Sequence, residues 1–331
     1  MRILVTGAAG FIGSTYVRGL LSGTLTRAPV TRVTVVDKLT YAASADNLAP
    51  VLADPRLTFV EGDVCNAGLM ADTVPGHDVV VNFAAESHVD RSIARPQDFV
   101  GTNVVGSHTL LRAAKDAGVR LFLQVSTDEV YGSVDFGSWT EHSPLAPNSP
   151  YAASKAAADL MAGAYACTYG MDVRITRCGN NYGPAQHPEK LIPRFITNLL
   201  DGQPLPVYGD GRNVRDWIHV DDHCRAIQLV LEKGAPGEVY NVGGGTELPN
   251  IAVAKQLIDA FGAAADRIRH VTDRPGHDFR YSLDGGKLAG LGFAPQVDFA
   301  TGLAQTIAWY RAHRAWWEPI RAAATAAPGV D

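Results

Sequence analysis

Tyr151 and Lys155 stand in a Tyr-x-x-x-Lys pattern within Tyr151-Ala152-Ala153-Ser154-Lys155. On a helix this spacing places phenol and ammonium one turn apart on the same face. A neighbouring ammonium favours the phenolate, so the spacing predicts a tyrosine acting as a base below its ordinary pKa of about 10. Such a pair suits alcohol oxidation by a nicotinamide cofactor. Just upstream, Ser126-Thr127-Asp128-Glu129-Val130-Tyr131-Gly132 supplies a hydroxyl and two adjacent carboxyls. Hydride transfer needs neither acid. Adjacent carboxyls repel, which drives their pKa values apart into a base and an acid; a second proton to remove and a leaving group to protonate are implied. One geometric condition follows. Successive strand residues point to opposite faces, so both acids can meet one substrate only if a strand ends near Thr127 and the backbone turns.

The elements that must position these groups are short β-branched runs: Ile3–Thr6, Val33–Asp37, Leu57–Glu61, Val79–Phe83, Leu121–Ser126 and Val173–Cys178. Apolar runs of this length fit parallel strands buried on both faces, with the intervening segments long enough for helical crossovers. The fold class expected is α/β, a doubly wound parallel sheet with a smaller mixed α/β lobe. The first strand ends in Gly7-Ala8-Ala9-Gly10-Phe11-Ile12-Gly13 and opens a helix. Glycines there let the backbone approach a pyrophosphate, which a helix N-terminus stabilises. Asp37 closes the second strand at about the spacing expected for a ribose-binding acid. It favours NAD over its 2′-phosphorylated form, although Lys38 beside it tempers that preference. Asp63-Val64 can meet the adenine edge or simply cap a strand end.

With 331 residues the chain is long enough for two lobes, and 29 basic against 34 acidic residues leave a charge of −5. No basic run points to nucleic acid. Cys65, Cys167, Cys178 and Cys224 are scattered, which reads as buried, reduced thiols in a cytoplasmic protein. No signal peptide is expected at Met1, and no run of about 18 apolar residues predicts a membrane span. Arg215-Asp216-Trp217-Ile218-His219-Val220-Asp221-Asp222-His223 invites a metal reading, but a helix beginning near Asp222 explains its acids as capping and dipole partners. No metal is expected. From about Ala322 the Ala-rich tail lacks a clear period and is expected to fray.

Together with Asn82-Phe83-Ala84-Ala85, the glycine run and the Tyr/Lys pair resemble the extended short-chain dehydrogenase/reductase family. Three further blocks, Ala85-Glu86-Ser87-His88-Val89-Asp90-Arg91-Ser92, Ser126 to Gly132, and Gln186-His187-Pro188-Glu189-Lys190-Leu191-Ile192-Pro193, are similar to the dTDP-glucose 4,6-dehydratase family within it. The resemblance runs from Met1 to about Trp317. It implies a hydro-lyase with tightly bound, recycled NAD+: oxidation at C4 of dTDP-glucose, loss of water across C5 and C6, and hydride return to C6, in deoxysugar biosynthesis. Tyr151 would take the 4-hydroxyl proton, Thr127 would hydrogen-bond that oxygen, and Lys155 would hold the nicotinamide ribose. Glu129 would remove the C5 proton and Asp128 would protonate the departing 6-hydroxyl. Implied cofactor positions are Gly7, Gly10, Phe11, Ile12, Gly13, Asp37, Lys38, Thr40, Asp63 and Val64. Ala84, Ala85, Ser87, Thr102, Val125, Tyr151, Lys155, Cys178 and Asn181 complete that set.

The second half shifts to Gly/Pro-punctuated segments with separated polar anchors. The substrate positions implied there are Asn180, Glu189, Lys190, Leu191, Pro206, Tyr208, Arg215, Asn250, Arg274, His277 and Tyr281, beside Ser87 and Thr127. The types fit: arginines fork onto diphosphate oxygens and tyrosine stacks on a pyrimidine. Gly179 and Ala185 depart from residues common in the family, and their small size predicts looser sugar contacts. The expected domains interleave, 1–179 plus about 214–245 for the dinucleotide and about 180–213 plus 246–331 for the nucleotide sugar. The resemblance also implies a homodimer joined by helices at about 100–117 and 151–169 in a four-helix bundle, although the alanines of the second helix would suit intrachain packing equally. A nucleotide-sugar 4-epimerase shares the glycine run and the Tyr/Lys pair but needs neither Asp128 nor Glu129. A catalytically silent scaffold on this fold would need none of the four.

Overall fold

The β-branched runs become strands because their side chains find apolar partners on both faces of one sheet, except that the Leu57–Glu61 run, at the sheet edge, is only partly buried. The computed structural model describes residues 1–326. Its first six strands are β1 (Arg2–Thr6), β2 (Arg32–Asp37), β3 (Leu57–Glu61), β4 (Val79–Asn82), β5 (Leu121–Thr127) and β6 (Val173–Cys178). Three more follow, β7 (Asn180–Tyr182), β8 (Leu205–Tyr208) and β9 (Val214–His219), then β10 (Val239–Val242), β11 (Glu247–Pro249) and β12 (Ile268–Val271). The main sheet runs β10-β6-β5-β4-β1-β2-β3, with every pairing parallel. The chain therefore winds outward in both directions from β1, and the switch point lies between β1 and β4.

Alternate residues divide between the two faces. Ile3 and Val5 join a core with Tyr16, Val17 and Leu20 of α1 (Phe11–Ser22). Leu4, Val80 and Phe122 pack on Met70 of α2 (Ala67–Thr73). Downstream lie α3 (Val89–Ala94), α4 (Pro96–Phe99), α5 (Ser107–Asp116) and α6 (Pro150–Tyr169); Leu110 and Leu111 of α5 and Ala162 and Tyr165 of α6 complete that second face. The helix expected at about 100–117 is not uniform. Val100–Gly106 is π-helical before α5 begins. The wide turn holds Asn103, whose side-chain amide clasps the Glu86 backbone from both sides (2.8 and 3.0 Å) and bonds Ser154 Oγ at 2.8 Å. Such insertions recur at functional sites.

The second lobe is built from α7 (Leu191–Leu200), α9 (Asn250–Phe261), α11 (Phe299–Ala312) and α12 (Arg314–Ala326) around a sheet of order β11-β9-β7 and the β12-β8 pair. Its core gathers Phe195, Ile196, Leu205, Trp217, Leu257 and Trp317. The chain interleaves between the lobes. Ile218 and Val220, with Cys224 and Ile227 of α8 (Val220–Lys233), belong to the first core, whereas Trp217 belongs to the second. Leu288 of α10 (Gly286–Gly290) returns to the first core as well.

Two expectations need correction. The four cysteines are free, but only Cys178 and Cys224 are buried; Cys167 is exposed, on the outer side of α6. The alanines Ala152, Ala158 and Ala162 of that helix are fully buried within this chain, so their small size serves intrachain packing. The helix at Ala322 continues to Ala326, and the rest of the tail lies outside the described residues. Among the described residues no helix is long and apolar enough to cross a membrane.

Candidate active site

A cleft runs along the carboxyl ends of the strands. Gly7 has φ +65°, and a Cβ there would lie 2.6 Å from Ala84 N; a Cβ on Gly13 would lie 2.4 Å from Gly7 O. Only glycine allows β1, the turn and α1 to approach this closely. Helix α1 begins at Gly10 with no side-chain cap, so its first-turn N–H groups remain open to an anion at the positive helix end. Asp37 sits beside them, accepting from Ala9 N and Leu39 N at 2.9 Å each. Burial raises its pKa. Lys38, which tempered the cofactor preference, is held by Thr102 Oγ1 at 2.9 Å, Asp63 at 3.6 Å and Glu86 at 3.8 Å. Its charge is thus matched by acids. With one exception the remaining expected cofactor positions line the same cleft, Thr40, Val64, Ala84, Ala85, Ser87, Thr102, Val125, Cys178 and Asn181 among them. Asp63 does not; it faces a neighbouring hollow with Cys65 and Arg95.

At the far end of the cleft stand Thr127, Asp128, Glu129, Tyr151 and Lys155. The geometric condition on the acids is met. β5 ends at Thr127, and Asp128–Tyr131 forms one turn of 3-10 helix, capped by Thr127 Oγ1 accepting from Glu129 N at 3.3 Å. The turn rotates consecutive side chains onto the cleft instead of alternating them. Asp128 is 2% exposed; its Oδ1 accepts from Thr127 Oγ1 at 3.2 Å, and its buried Oδ2 has no partner. Burial, then the Glu129 and Asp216 charges, push its pKa well up. Glu129 is also raised by burial, but Arg274, Arg215 and Lys190 oppose the rise. Asp128 therefore holds its proton more firmly than Glu129 does.

The tyrosine differs from its expected state. Burial, followed by the Glu129 charge, pushes the Tyr151 phenol well above 10, with Thr127 pulling the other way. Lys155 donates instead to the Val125 carbonyl at 2.6 Å, and burial lowers its own pKa. The helical spacing is right, but desolvation outweighs the ammonium.

Several second-lobe positions lie on the acid side of the cleft, where Arg274, Arg215 and Lys190 act on Glu129. Lys190 and Asn180 line it; Lys190 Nζ donates to Ser87 O at 2.6 Å, and Asn180 Oδ1 is buried without a partner. Arg215 lies 4.3 Å from the centre of the Tyr281 ring and donates to the Asp278 carbonyl at 2.9 Å. Arg274 pairs with Asp90 at 3.5 Å, and the Tyr208 hydroxyl donates to the same carboxyl at 3.2 Å. His277 meets Tyr208 edge-on at 6.0 Å and Asp273 at 2.6 Å. Asn250 opens α9 with its buried Oδ1 unpartnered. Three expected contacts stand apart. Glu189 is bound by Arg91 and flanked by His88 and His187, Leu191 packs on the second core, and Pro206 sits within the β8–β12 pairing.

Residues without an assigned role in the sequence are also drawn in. Asp90 joins Tyr208 and Arg274, and Arg91 stacks on Tyr41 at 3.7 Å; both lie in a block whose charge pattern was visible, but only folding shows their partners. Gly179 loosens nothing: a Cβ there would lie 2.6 Å from the Asp216 carbonyl. Gly179→Ala is expected to lose about 1–3 kcal/mol of stability by overpacking β9, read as a lower melting temperature. Ala185 adopts the left-handed region at φ +64°.

The family model described as GDP-mannose 4,6 dehydratase matches residues 4–306. A dTDP-glucose 4,6-dehydratase of Streptomyces niveus is 58% identical over 99% of both chains. One from Actinoplanes sp. is 60% identical over 96% of this chain and all of its own. Among solved structures, the dTDP-glucose 4,6-dehydratase DesIV of Streptomyces venezuelae, determined with NAD bound, superposes with a TM-score of 0.96 at 63% identity, over 97% of this chain and 100% of that one. On these matches and on the cleft just described, the chain belongs to the dTDP-glucose 4,6-dehydratase family of extended short-chain dehydrogenases/reductases.

Proposed function

We propose that this chain converts dTDP-glucose to dTDP-4-keto-6-deoxyglucose with a retained NAD+, a step of deoxysugar biosynthesis. The observation that carries the reading is the arrival of Asp128 and Glu129 on the cleft that holds Tyr151, Lys155 and the glycine turn. The open N-terminus of α1, the close glycines and Asp37 suit a dinucleotide without a 2′-phosphate. When bound, NAD+ supplies hydride acceptance from sugar C4 and hydride return to C6. Tyr151 removes the 4-hydroxyl proton while Thr127 hydrogen-bonds that oxygen; the positive charge of a bound NAD+, with Lys155 holding its nicotinamide ribose, would lower the phenol from the value that burial alone gives it. The C4 ketone acidifies C5–H, which Glu129 takes as carboxylate. Asp128, kept neutral by burial, protonates the 6-hydroxyl as it leaves. Lys190, Arg215 and Arg274 neutralise the diphosphate, with Tyr208 against the base. Glu189, Leu191 and Pro206 shape that end from behind.

The same reading divides the chain as 1–179 plus about 214–245 for the dinucleotide and about 180–213 plus 246–331 for the nucleotide sugar, with α10 returning to the first core. It places the enzyme in the cytoplasm as a homodimer joined through helices 100–117 and 151–169 in a four-helix bundle. Val100, Val105, Leu160 and Tyr169 support the dimer, being 52%, 49%, 66% and 54% exposed on those helices; apolar side chains so placed suit an interface.

A 4-epimerase has no use for two carboxyls on the cleft, which argues against that reading. Purified protein incubated with dTDP-glucose is expected to yield the alkaline ultraviolet absorbance of the 4-keto-6-deoxy product. UDP-glucose, which lacks the thymine methyl and adds a ribose 2′-hydroxyl, should react at least about 10-fold less efficiently. A galactose epimer, or no product, would overturn the proposal.

A further inference from the structure

Four buried polar side chains with no part in the steps above form a continuous chain behind the cleft. Asp159 Oδ2 accepts from Arg177 Nε at 2.9 Å; Arg177 also donates to the Tyr131 hydroxyl at 2.8 Å, and that hydroxyl donates to Asn241 Oδ1 at 2.8 Å. Asn241 is anchored in turn by the Trp139 carbonyl at 2.9 Å and by Glu141, which accepts from its N–H at 2.9 Å. The four are 2%, 6%, 1% and 0% exposed. A charged pair buried this deeply costs desolvation that packing alone does not require, because apolar side chains of the same volume would serve stability as well.

Its ends explain its place. Asp159 lies one turn beyond Lys155 on α6, on the same face, and its Oδ1 is buried without a hydrogen-bond partner. Lys155 is drawn toward its charged form by Asp159. Arg177 stands in β6 opposite Ser126 of β5, one residue before Thr127. Tyr131 closes the 3-10 turn that carries Asp128 and Glu129, stacks on Trp139 at 6.1 Å, and lies under the Arg177 guanidinium at 4.8 Å. The chain thus ends one helical turn from Lys155 of the oxidation pair on one side and closes the turn of the elimination pair on the other.

Resting on the proposed function, we infer that Tyr131 and Asp159 are positioning residues, joined through Arg177, that fix the acid–base turn against the helix bearing Tyr151 and Lys155. Neither touches the sugar. Tyr131 holds the aim of Asp128 and Glu129; Asp159 holds the Lys155 ammonium toward the ribose side of the cleft. A misplacement of reacting groups by about 1 Å can cost up to about a hundredfold in rate, so loss of one link is expected to cost about tenfold in the step that it positions.

Two half-reactions separate the ends. One is cofactor reduction in a single turnover of dTDP-glucose; the other is C5 hydrogen exchange of the 4-keto-6-deoxy product in deuterium oxide, which needs the base but no hydride transfer. Tyr131→Phe keeps the ring, its stacking and the Asp159–Arg177 pair. It is expected to slow C5 exchange about tenfold and cofactor reduction less than about twofold. Asp159→Asn is expected to do the reverse. Equal losses in both half-reactions, in step with a lowered melting temperature, would mean ordinary structural support and would overturn the inference; so would two unchanged rates. If Asp159→Asn does not accumulate in folded form, Tyr131→Phe decides alone. Wild-type protein that performs neither half-reaction would overturn the proposed function and this inference with it, whereas an active wild type with no split between the variants overturns the inference only.

Discussion

Glu129→Gln is expected to abolish C5 exchange while cofactor reduction by dTDP-glucose continues. A positioned general base contributes about 10²–10⁴-fold, and the amide has the size of the carboxyl without its basicity. Tyr151, Lys155 and Thr127 stay in place, so the C4 step proceeds and the reduced dinucleotide accumulates as absorbance. The pH behaviour follows from the charges around the group. Burial raises the Glu129 pKa, and Arg274, Arg215 and Lys190 restrain that rise. Protonation disables a base, so wild-type activity should fall on the acid side, at a pH above the ordinary glutamic acid range of about 4.3. That limb should disappear from C5 exchange in the Gln variant. Unchanged deuterium incorporation at C5 would remove Glu129 from the base role.

The sheet was the most legible part of the sequence because runs such as Val79–Asn82 and Leu121–Thr127 are buried on both faces and carry no competing helical period. The glycine turn was equally plain: Gly7 and Gly13 are dictated by backbone contacts that no side chain could share. Charge states were less legible. Spacing alone put an ammonium beside Tyr151, yet Lys155 turns to the Val125 carbonyl and burial dominates the phenol. Long-range partnerships were not legible at all. Asp90 meets Arg274 and Tyr208 only after elements more than 100 residues apart are packed, and Asp159 meets Arg177 only once α6 has folded back on β6. The π-helical stretch was likewise hidden; it carries Asn103, which clasps the Glu86 backbone, a contact that local propensity does not encode.

Asp128→Asn is expected to lower turnover by about 10²–10³-fold at neutral pH, with C4 oxidation and C5 exchange both retained. An amide cannot supply the proton that the departing 6-hydroxyl requires, so water loss alone becomes slow. The assignment depends on Asp128 being neutral when Glu129 is ionised. Burial is the largest cause of its raised pKa, with Glu129 and Asp216 adding repulsion against Arg215, and one buried oxygen has no partner that would stabilise an anion. Ionisation disables an acid, so the alkaline limb of wild-type turnover belongs to Asp128 and should vanish in the variant. Stability supplies an independent sign. A carboxyl whose folded pKa exceeds its unfolded value binds more protons in the native state, so the stability that it contributes is complete below the unfolded pKa and is lost as pH rises through the folded one. Asn carries no such dependence. The melting temperature of Asp128→Asn should therefore gain on wild type as pH rises from 5 (about one unit above the free carboxyl pKa) toward 9. Slow dehydration together with that rising gain identifies a buried neutral acid. Wild-type turnover, or a variant that loses stability increasingly at high pH, would show instead that Asp128 is ionised in the cleft and that the proton for the 6-hydroxyl comes from another group.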